Sequence, residues 1–375
     1  AQALKKEAPS QSTGCPATKL LFELKQEAFV QVPDVRGIDV FGKNGASDPE
    51  RLVSEWDSEI AAAVGHTLEN NRATLDTIHE IAGLPLDNRG EVIEHIGEGR
   101  YLIREYRFPD MLAERTSVRL LVLEGILAVK EQRPDDAFDA ASRIIAFSEH
   151  VENASPGAIG IAIGQALRAM ALTDIVRPGL NETEYSDDAA SRFFDQLMKN
   201  DWDKKLSEAI EWERLAMLNA PYAPSRLEYI RVYLLPFWHN ADLSKSIDWH
   251  DELLRMVALP YPEFVKKKAE FKEEQKQTSH IFYPMSTCWI PPTPEMKTYV
   301  VSLQALEDLA RVAFALRAYK QTHGGYPDTL DVLVPDFIDA VPSDRFTERP
   351  FLYRKDGDGC TVYSAGPDMH DDGGI

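Results

Sequence analysis

Residues 316–333 read LRAYKQTHGGYPDTLDVL, and this stretch decides how the C-terminal part of the chain folds. The apolar side chains leading into it recur with helical spacing: Leu309, Val312, Leu316 and Tyr319. We expect the helix to end at Gly324 and Gly325, because glycine adopts the left-handed conformation that closes helices. A short helix capped by Asp328 or Thr329 should follow and stop before Pro335.

Two strands and an acidic tail are predicted beyond this turn. Residues 351–355 and 360–364 alternate like strands, and Asp356–Gly359, read DGDG, is a tight-turn signal between them. The chain then runs through AGPDMHDDGG at residues 365–374. The order is therefore long helix, short helix, hairpin and acidic loop.

This order resembles the soluble part of the major pseudopilin of type II secretion systems. The resemblance covers about one fifth of the chain. It rests on an H-G-x-Y-P turn, an L-x-x-L helix, a proline-rich loop and a Y-S-x-G-x-D loop. The residues that match are His323, Gly324, Tyr326 and Pro327; Leu330 and Leu333; Pro342 to Pro350; and Tyr363, Ser364, Gly366 and Asp368.

The resemblance implies a calcium site in the acidic loop. Carried over, it nominates Asp368 with Asp371 or Asp372, together with the backbone carbonyl of Ala365. Calcium needs six to eight oxygen ligands, and a loop with three aspartates and free carbonyls supplies most of them. The alternative is a frayed acidic tail. The preceding DGDG segment begins like an EF-hand calcium loop, but such a loop would need glycine in place of Thr361. We therefore interpret DGDG as a turn.

The residues before this module predict a helical scaffold. We divide the chain into an arm with little regular structure (1–48), the scaffold (49–277), a proline-rich linker (278–297) and the pseudopilin-like module (298–375). The scaffold helices are expected at Leu52–Ile81, Met111–Glu131, Asp136–Val151 and Ser155–Arg177. Residues 112–151 resemble a tetratricopeptide-type helical hairpin, but the chain has no strict repeat period. The predicted fold is mainly α: an irregular, solenoid-like helical-hairpin domain followed by a small α+β module.

Composition limits the partners. The formal net charge is −20, which argues against nucleic acid and against an anionic membrane surface. The longest apolar run, at 120–129, is interrupted by Glu124 and is too short to span a bilayer. Because the chain begins at Ala1 without an initiator methionine, we expect residues before Ala1 to have been removed, and these could include a signal peptide or a membrane anchor. Together with the calcium-type loop, this predicts a bacterial, extracytoplasmic protein.

The chain contains only partial matches to catalytic motifs. His79–Glu80 begins like a zinc-protease helix, but Gly83 stands where the second histidine should be. His250 lies among acids, as on a solvated helix face. The glycines of one helical segment indicate close helix packing rather than a nucleotide loop: Gly157, Gly160 and Gly164.

Three functions stay open at this point. The first is an exported, non-catalytic interaction or structural protein, consistent with its resemblance to large exported bacterial proteins in which a helical region precedes this module. The second is an enzyme with its site in the aromatic-rich region 202–249, and the third is a subunit of a type II secretion-like assembly. Cys288 and Cys360 are expected as two thiols, or as a disulfide between linker and hairpin.

Overall fold

The structure is a computed structural model, and it describes residues 20, 53–54, 56–86, 93–95, 101–103, 111–155, 157–182, 187–219, 236–279, 283, 286 and 293–374. These residues are mainly helical, with a few short antiparallel strands near the C-terminus, which confirms the predicted fold class at that level. Apart from residue 20, the predicted N-terminal arm lies outside the described residues.

The first predicted scaffold helix is in fact two helices, α1 (Ser58–Asn70) and α2 (Arg72–Gly83). Asp57 caps α1 by accepting hydrogen bonds from the N–H groups of Glu59 and Ile60, both at 3.0 Å. Asn71 divides the two helices. Its buried side-chain amide donates to the carbonyl of Thr67 at 2.8 Å and closes α1 there.

A short hairpin follows where only helix was predicted. Strand β1 (Ile93–His95) pairs antiparallel with β2 (Tyr101–Ile103), and Ile93 lies opposite Ile103. The helical prediction for 49–277 is therefore wrong at this point. The sequence carried a signal for it, since Gly97 and Gly99 separate the two apolar segments.

Helices α3 (Met111–Lys130) and α4 (Pro134–Ala154) lie close to their predicted bounds and pack against each other. Pro134 occupies the first turn of α4, where no backbone N–H is needed, and Asp135 and Asp136 follow where the helix dipole favours acids. Helix α4 lies in the middle of the scaffold and packs against α2, α3 and α5. Its apolar side carries small residues, which lets these neighbours approach closely.

The next helix is longer than predicted. It runs as α5 (Ala158–Met170), a π-helical segment (Ala171–Val176) and α6 (Arg177–Glu182). We expected the helix to stop at Arg177–Gly179, but the wider π turn precedes Pro178, whose ring would clash with a carbonyl four residues back in a regular α-helix. Ala158–Asn181 is long and apolar enough to cross a membrane by length and composition. Because 56% of its most apolar window is buried inside the protein, it has the character of a core helix.

Among the described residues, four helices complete the scaffold and lead to the C-terminal module. They are α7 (Asp187–Leu197), α8 (Trp202–Asn219), α9 (Pro236–Val257) and α10 (Tyr261–Gln277). In the predicted linker, Ser286 bonds to the buried carboxylate of Asp242 on α9 through its N–H (2.9 Å) and its hydroxyl (2.7 Å). The connection is thus fastened to the scaffold at this described residue.

The long helix α11 (Thr293–His323) joins two hydrophobic cores. Its first half, including Val300 and Leu303, belongs to the main core of the scaffold. Its second half, including Val312 and Leu316, forms a second core with the C-terminal module. The helix begins five residues before the predicted Thr298, because Pro294 is tolerated in a first helical turn.

The C-terminal elements follow in the predicted order. Gly324 has φ +76° and ends α11, and a 3₁₀ helix (Leu330–Leu333) follows. Strands β3 (Ser343–Asp344) and β4 (Arg349–Pro350) pair antiparallel, as do β5 (Leu352–Asp356) and β6 (Gly359–Tyr363). Between β5 and β6, Gly357 takes φ +57°, the left-handed conformation that this tight turn requires.

Candidate functional site

The predicted calcium loop is fixed at its base by a residue that sequence analysis missed. Asp344 is 2% exposed, and its two carboxylate oxygens accept hydrogen bonds from the N–H groups of Ala365 (2.8 Å) and Phe346 (3.0 Å). It thereby connects the β3–β4 turn to the start of the loop. No signal in the sequence marks the role of Asp344 in the loop, because Ala365 lies 21 positions along the chain and is brought to it by the tertiary fold, whereas the bond from Phe346 is local.

Asp344→Ala should therefore destabilise the whole chain by about 2 kcal/mol, because two amide groups lose their acceptor. Asp356→Ala, which removes an exposed carboxylate from the neighbouring hairpin, is the control and should change stability by less than about 0.5 kcal/mol. Urea unfolding followed by circular dichroism measures both. Equal effects of the two substitutions would contradict the role given to Asp344.

The aspartates of the loop bond within the loop and to the hairpin. Asp368 accepts from the N–H of His370 at 3.1 Å. Asp371 accepts from the hydroxyl of Tyr363 and from the N–H of Gly373, both at 2.9 Å. The hydrogen bond to Asp371 raises the pKa of the Tyr363 hydroxyl above its ordinary value.

These residues fit calcium in their chemistry more than in their arrangement. The carboxylates of Asp368, Asp371 and Asp372 are exposed hard oxygen donors, as calcium prefers. Among the residues that the structure describes, however, no group of three or more His, Cys, Asp or Glu side chains lies close enough to hold one metal ion. Calcium binding would therefore require the loop to rearrange so that its carboxylates come closer together.

The loop also contacts the scaffold. The Tyr261 hydroxyl of α10 donates to the carbonyl of Pro367 at 3.4 Å, and its ring meets Phe346 edge-on with centroids 4.8 Å apart. Phe346 is buried in the main core, and Met369 packs against that core. The C-terminal module is thus packed directly on the helical scaffold.

The aromatic region proposed for an enzyme site is described only in part. Tyr222, Tyr229 and Tyr233 lie outside the described residues. Between α9 and α10 the structure has an open cleft of about 450 Å³. Trp249 lines the cleft but is only 2% exposed, and Glu274 accepts hydrogen bonds from the Trp249 indole and from Lys245. The walls of this cleft are mostly charged side chains that pair with one another.

His250 does not lie on a solvated face, as the sequence had indicated. It is 1% exposed, and its Nδ1 lies 2.7 Å from the carbonyl of Ser246 one helical turn earlier. Burial lowers its pKa, so the neutral imidazole is favoured. The charged neighbours Arg214 and Asp251 pair with each other at 2.7 Å on the more exposed side of the helix. His250 is therefore a core residue of α9.

The three glycines of the α5 segment confirm the prediction of close packing. A Cβ on Gly160 would lie 1.7 Å from the backbone oxygen of Ser155. One on Gly164 would lie 2.3 Å from the carboxylate of Glu152, and one on Gly157 would lie 2.5 Å from that of Glu213. Two of these glycines therefore make room for acidic side chains, which the sequence alone did not reveal.

One of these acids belongs to a buried ionic group around Trp202. Arg168 is fully buried and donates to Glu152 (3.3 Å) and Glu149 (3.2 Å), while Lys205 donates to Glu152 at 2.6 Å. The cationic groups of Arg168 and Lys205 lie 5.0 and 4.9 Å from the centre of the indole ring. We call the group the Trp202 cluster; its members are Glu149, Glu152, Arg168, Trp202, Lys205 and Glu307.

Glu307 connects this cluster to α11. Its carboxyl oxygens lie 3.0 and 3.3 Å from the indole nitrogen of Trp202, which donates to them. Glu307 is 6% exposed, and burial raises its pKa to about 7. In the sequence, the only sign of this cluster is weak: Gln165 and Arg168 lie within an otherwise apolar helix.

Cys360 carries a free, half-buried thiol whose pKa is raised by burial. Cys288, its predicted alternative partner, lies outside the described residues.

Comparison with known protein families, with curated proteins and with solved structures finds no match to this chain.

Proposed function

We propose that the chain is an exported bacterial interaction or structural protein without catalytic activity. In this proposal an irregular helical-hairpin scaffold, solenoid-like in its arrangement, carries a pseudopilin-like module whose acidic loop binds calcium. The observation that supports it best is the double role of α11, which packs in both cores and joins them through one uninterrupted helix. A continuous helix gives a partner-binding loop a fixed position on a rigid support.

The pseudopilin-like part of the proposal is supported by the order of its elements. The acidic loop comes last in this order. It follows the long helix α11, the turn at Gly324, a short 3₁₀ helix, the paired strands β3 and β4, and the β5–β6 hairpin. The second core lies between α11 and these elements, with Leu330, Leu333 and Phe351 among its buried residues. The helical residues that come before α11 distinguish this chain from a filament-forming pilin, so we prefer the interaction role over an assembly subunit.

Calcium binding is the part of the proposal that has the sharpest test. Isothermal calorimetry on the whole chain should give one site with a dissociation constant of roughly 10⁻⁴ to 10⁻³ M, and magnesium should bind more weakly because it needs a tighter shell. Asp368→Asn should abolish this heat, whereas Asp356→Asn, an exposed acid of the hairpin turn, should leave it unchanged. Absence of calcium heat at millimolar concentration would contradict the calcium site and leave the fold untouched.

The Tyr363 hydroxyl supplies a second, spectroscopic measure of calcium binding to the acidic loop. Because the hydrogen bond to Asp371 and its negative charge raise the pKa of Tyr363, a calcium ion bound to that carboxylate should lower the pKa towards its ordinary value. An ultraviolet pH titration of the chain with and without calcium measures this shift. The Tyr363→Phe variant identifies which of the tyrosines is responsible.

The proposed location can be tested independently of calcium. Expressed from its own complete gene, the protein should fractionate with the periplasm, the envelope or the medium. Free calcium there is high enough to fill a weak site. Recovery only with the cytoplasmic fraction would contradict export.

A further inference from the structure

Charge balance in the Trp202 cluster singles out one carboxyl group. Arg168 and Lys205 supply two positive charges, and Glu149 and Glu152 supply two negative charges that pair with them directly. Glu307 is therefore the surplus acid. Burying an unpaired carboxylate is costly, and such a group usually stays neutral instead.

The other charged groups near Glu307 are committed elsewhere. Asp308, its neighbour on α11, pairs with Arg345 of the β3–β4 turn at 3.0 Å. Among the described residues, the hydrogen bond that Glu307 receives comes from the Trp202 indole, which offers one proton to two oxygens. The charges of Arg168 and Arg345 and the hydrogen bond from the Trp202 indole favour the ionised form of Glu307, Asp308 opposes it, and burial outweighs the groups that favour ionisation.

The position of Glu307 gives the proton on its carboxyl group a structural role. Trp202 belongs to α8, Arg168 to α5 and Glu307 to α11, so the cluster lies where the two scaffold helices meet the long helix. Ionisation of Glu307 would leave a net negative charge at this contact. This uncompensated buried charge would then weaken the packing of α11 on α5 and α8.

We propose that Glu307 is a buried proton-binding site which fastens α11, and with it the C-terminal module, to the helical scaffold when protonated and loosens that contact when ionised. This inference goes beyond the proposed function and does not depend on calcium binding. It makes the attachment of the module sensitive to pH in the neutral range, because the pKa of Glu307 is raised to about 7.

The sign of the effect follows from linkage. The carboxyl ionises near pH 4.5 when unfolded and near 7 when folded, so the folded state holds the extra proton between these values. The stability that the folded state gains by holding this proton is present in full below pH 4.5 and is lost as pH rises through 7. Across that window the unfolding equilibrium constant should rise about tenfold for each pH unit.

The test compares the whole chain with its Glu307→Gln variant in urea from pH 5 to 8.5. Glutamine resembles the protonated acid and keeps an acceptor for the Trp202 indole, so the variant should lack this pH component and exceed the wild type in stability at pH 8. Glu211 is an exposed acid on α8, so Glu211→Gln is the matched control for the change in net charge. The stability of this control should vary with pH as that of the wild type does. Identical pH profiles for the wild type and Glu307→Gln would overturn the proposal.

Two further measurements keep the proposal falsifiable if Glu307→Gln fails to fold. Infrared difference spectroscopy of the wild type should show a protonated carboxyl that titrates near pH 7. In Trp202→Phe the midpoint of this carboxyl titration should move to higher pH, because the indole N–H favours the carboxylate.

Hydrogen exchange, corrected for its intrinsic pH dependence, should be faster at pH 8 than at pH 5.5 in residues 300–312 of α11. A carboxyl that ionises below pH 5, or exchange that is independent of pH, would refute the inference.

Discussion

Gly160→Ala should lower the free energy of unfolding by about 3 kcal/mol, the largest effect expected of adding a single methyl group to this chain. The new Cβ would lie 1.7 Å from the backbone oxygen of Ser155 and 2.7 Å from its Cβ. The atom that it meets is backbone, so no side chain can rotate away. The start of α5 would have to shift away from the end of α4.

The matched control is Gly65→Ala in the middle of α1. No atom lies within 4 Å of the Cβ that it would add, so alanine meets no obstacle there. Because alanine loses less backbone entropy in a helix than glycine does, this variant should gain about 0.5 to 1 kcal/mol. Urea denaturation of both variants gives the comparison. A stabilised Gly160→Ala variant would mean that the α4–α5 contact is not as close as described.

Glu152→Ala should be comparably damaging, with a loss of about 3 to 5 kcal/mol. The substitution removes the shared partner of Lys205 and of the fully buried Arg168, which retains only the more exposed Glu149. A buried guanidinium that loses its main counter-ion keeps the cost of its desolvation. The free energy of unfolding and the far-ultraviolet signal of the native state measure this loss.

Two comparisons separate charge from packing. Asp76→Ala breaks an ion pair with Arg72 whose side chains are 59% and 65% exposed, and should change stability by only a few tenths of a kcal/mol. The double variant Glu152→Leu with Arg168→Met should recover the part of the loss that comes from the unpaired Arg168, since apolar residues often replace a buried ion pair at little cost; Lys205 would still lack its partner. A double variant less stable than Glu152→Ala would show that the ionic arrangement itself is required.

Local signals in the sequence were sufficient for most of the C-terminal module. Gly324 closes α11, Gly357 turns the hairpin and the apolar spacing of α11 defines its buried face. These features depend on residues close together in the chain, so their pattern is visible without knowledge of the fold. The main errors arose where local rules have exceptions, as with Pro294 at the start of α11 and with the continuation of α5 and α6 through Pro178.

The candidate sites also combine features that are visible in the sequence with features that depend on the fold. The composition of the acidic loop, with Asp368, Asp371 and Asp372, is a property of the sequence, whereas the bonds from Tyr363 and Gly373 to Asp371 depend on how the loop folds back. His250 shows the limit of local reasoning. Its acidic neighbours in sequence indicated an exposed face, but the side chain points into the core.

The sequence by itself determined that this protein is mainly helical and that a hairpin and an acidic loop follow a long C-terminal helix. Only the tertiary structure decided that Asp344 fixes the loop, that Gly164 makes room for Glu152 and that Glu307 meets Trp202 across 105 positions of the chain. Periodicity and turn chemistry act between near neighbours, and are therefore encoded in short segments. Burial, charge balance and a raised pKa depend on residues that only folding brings together.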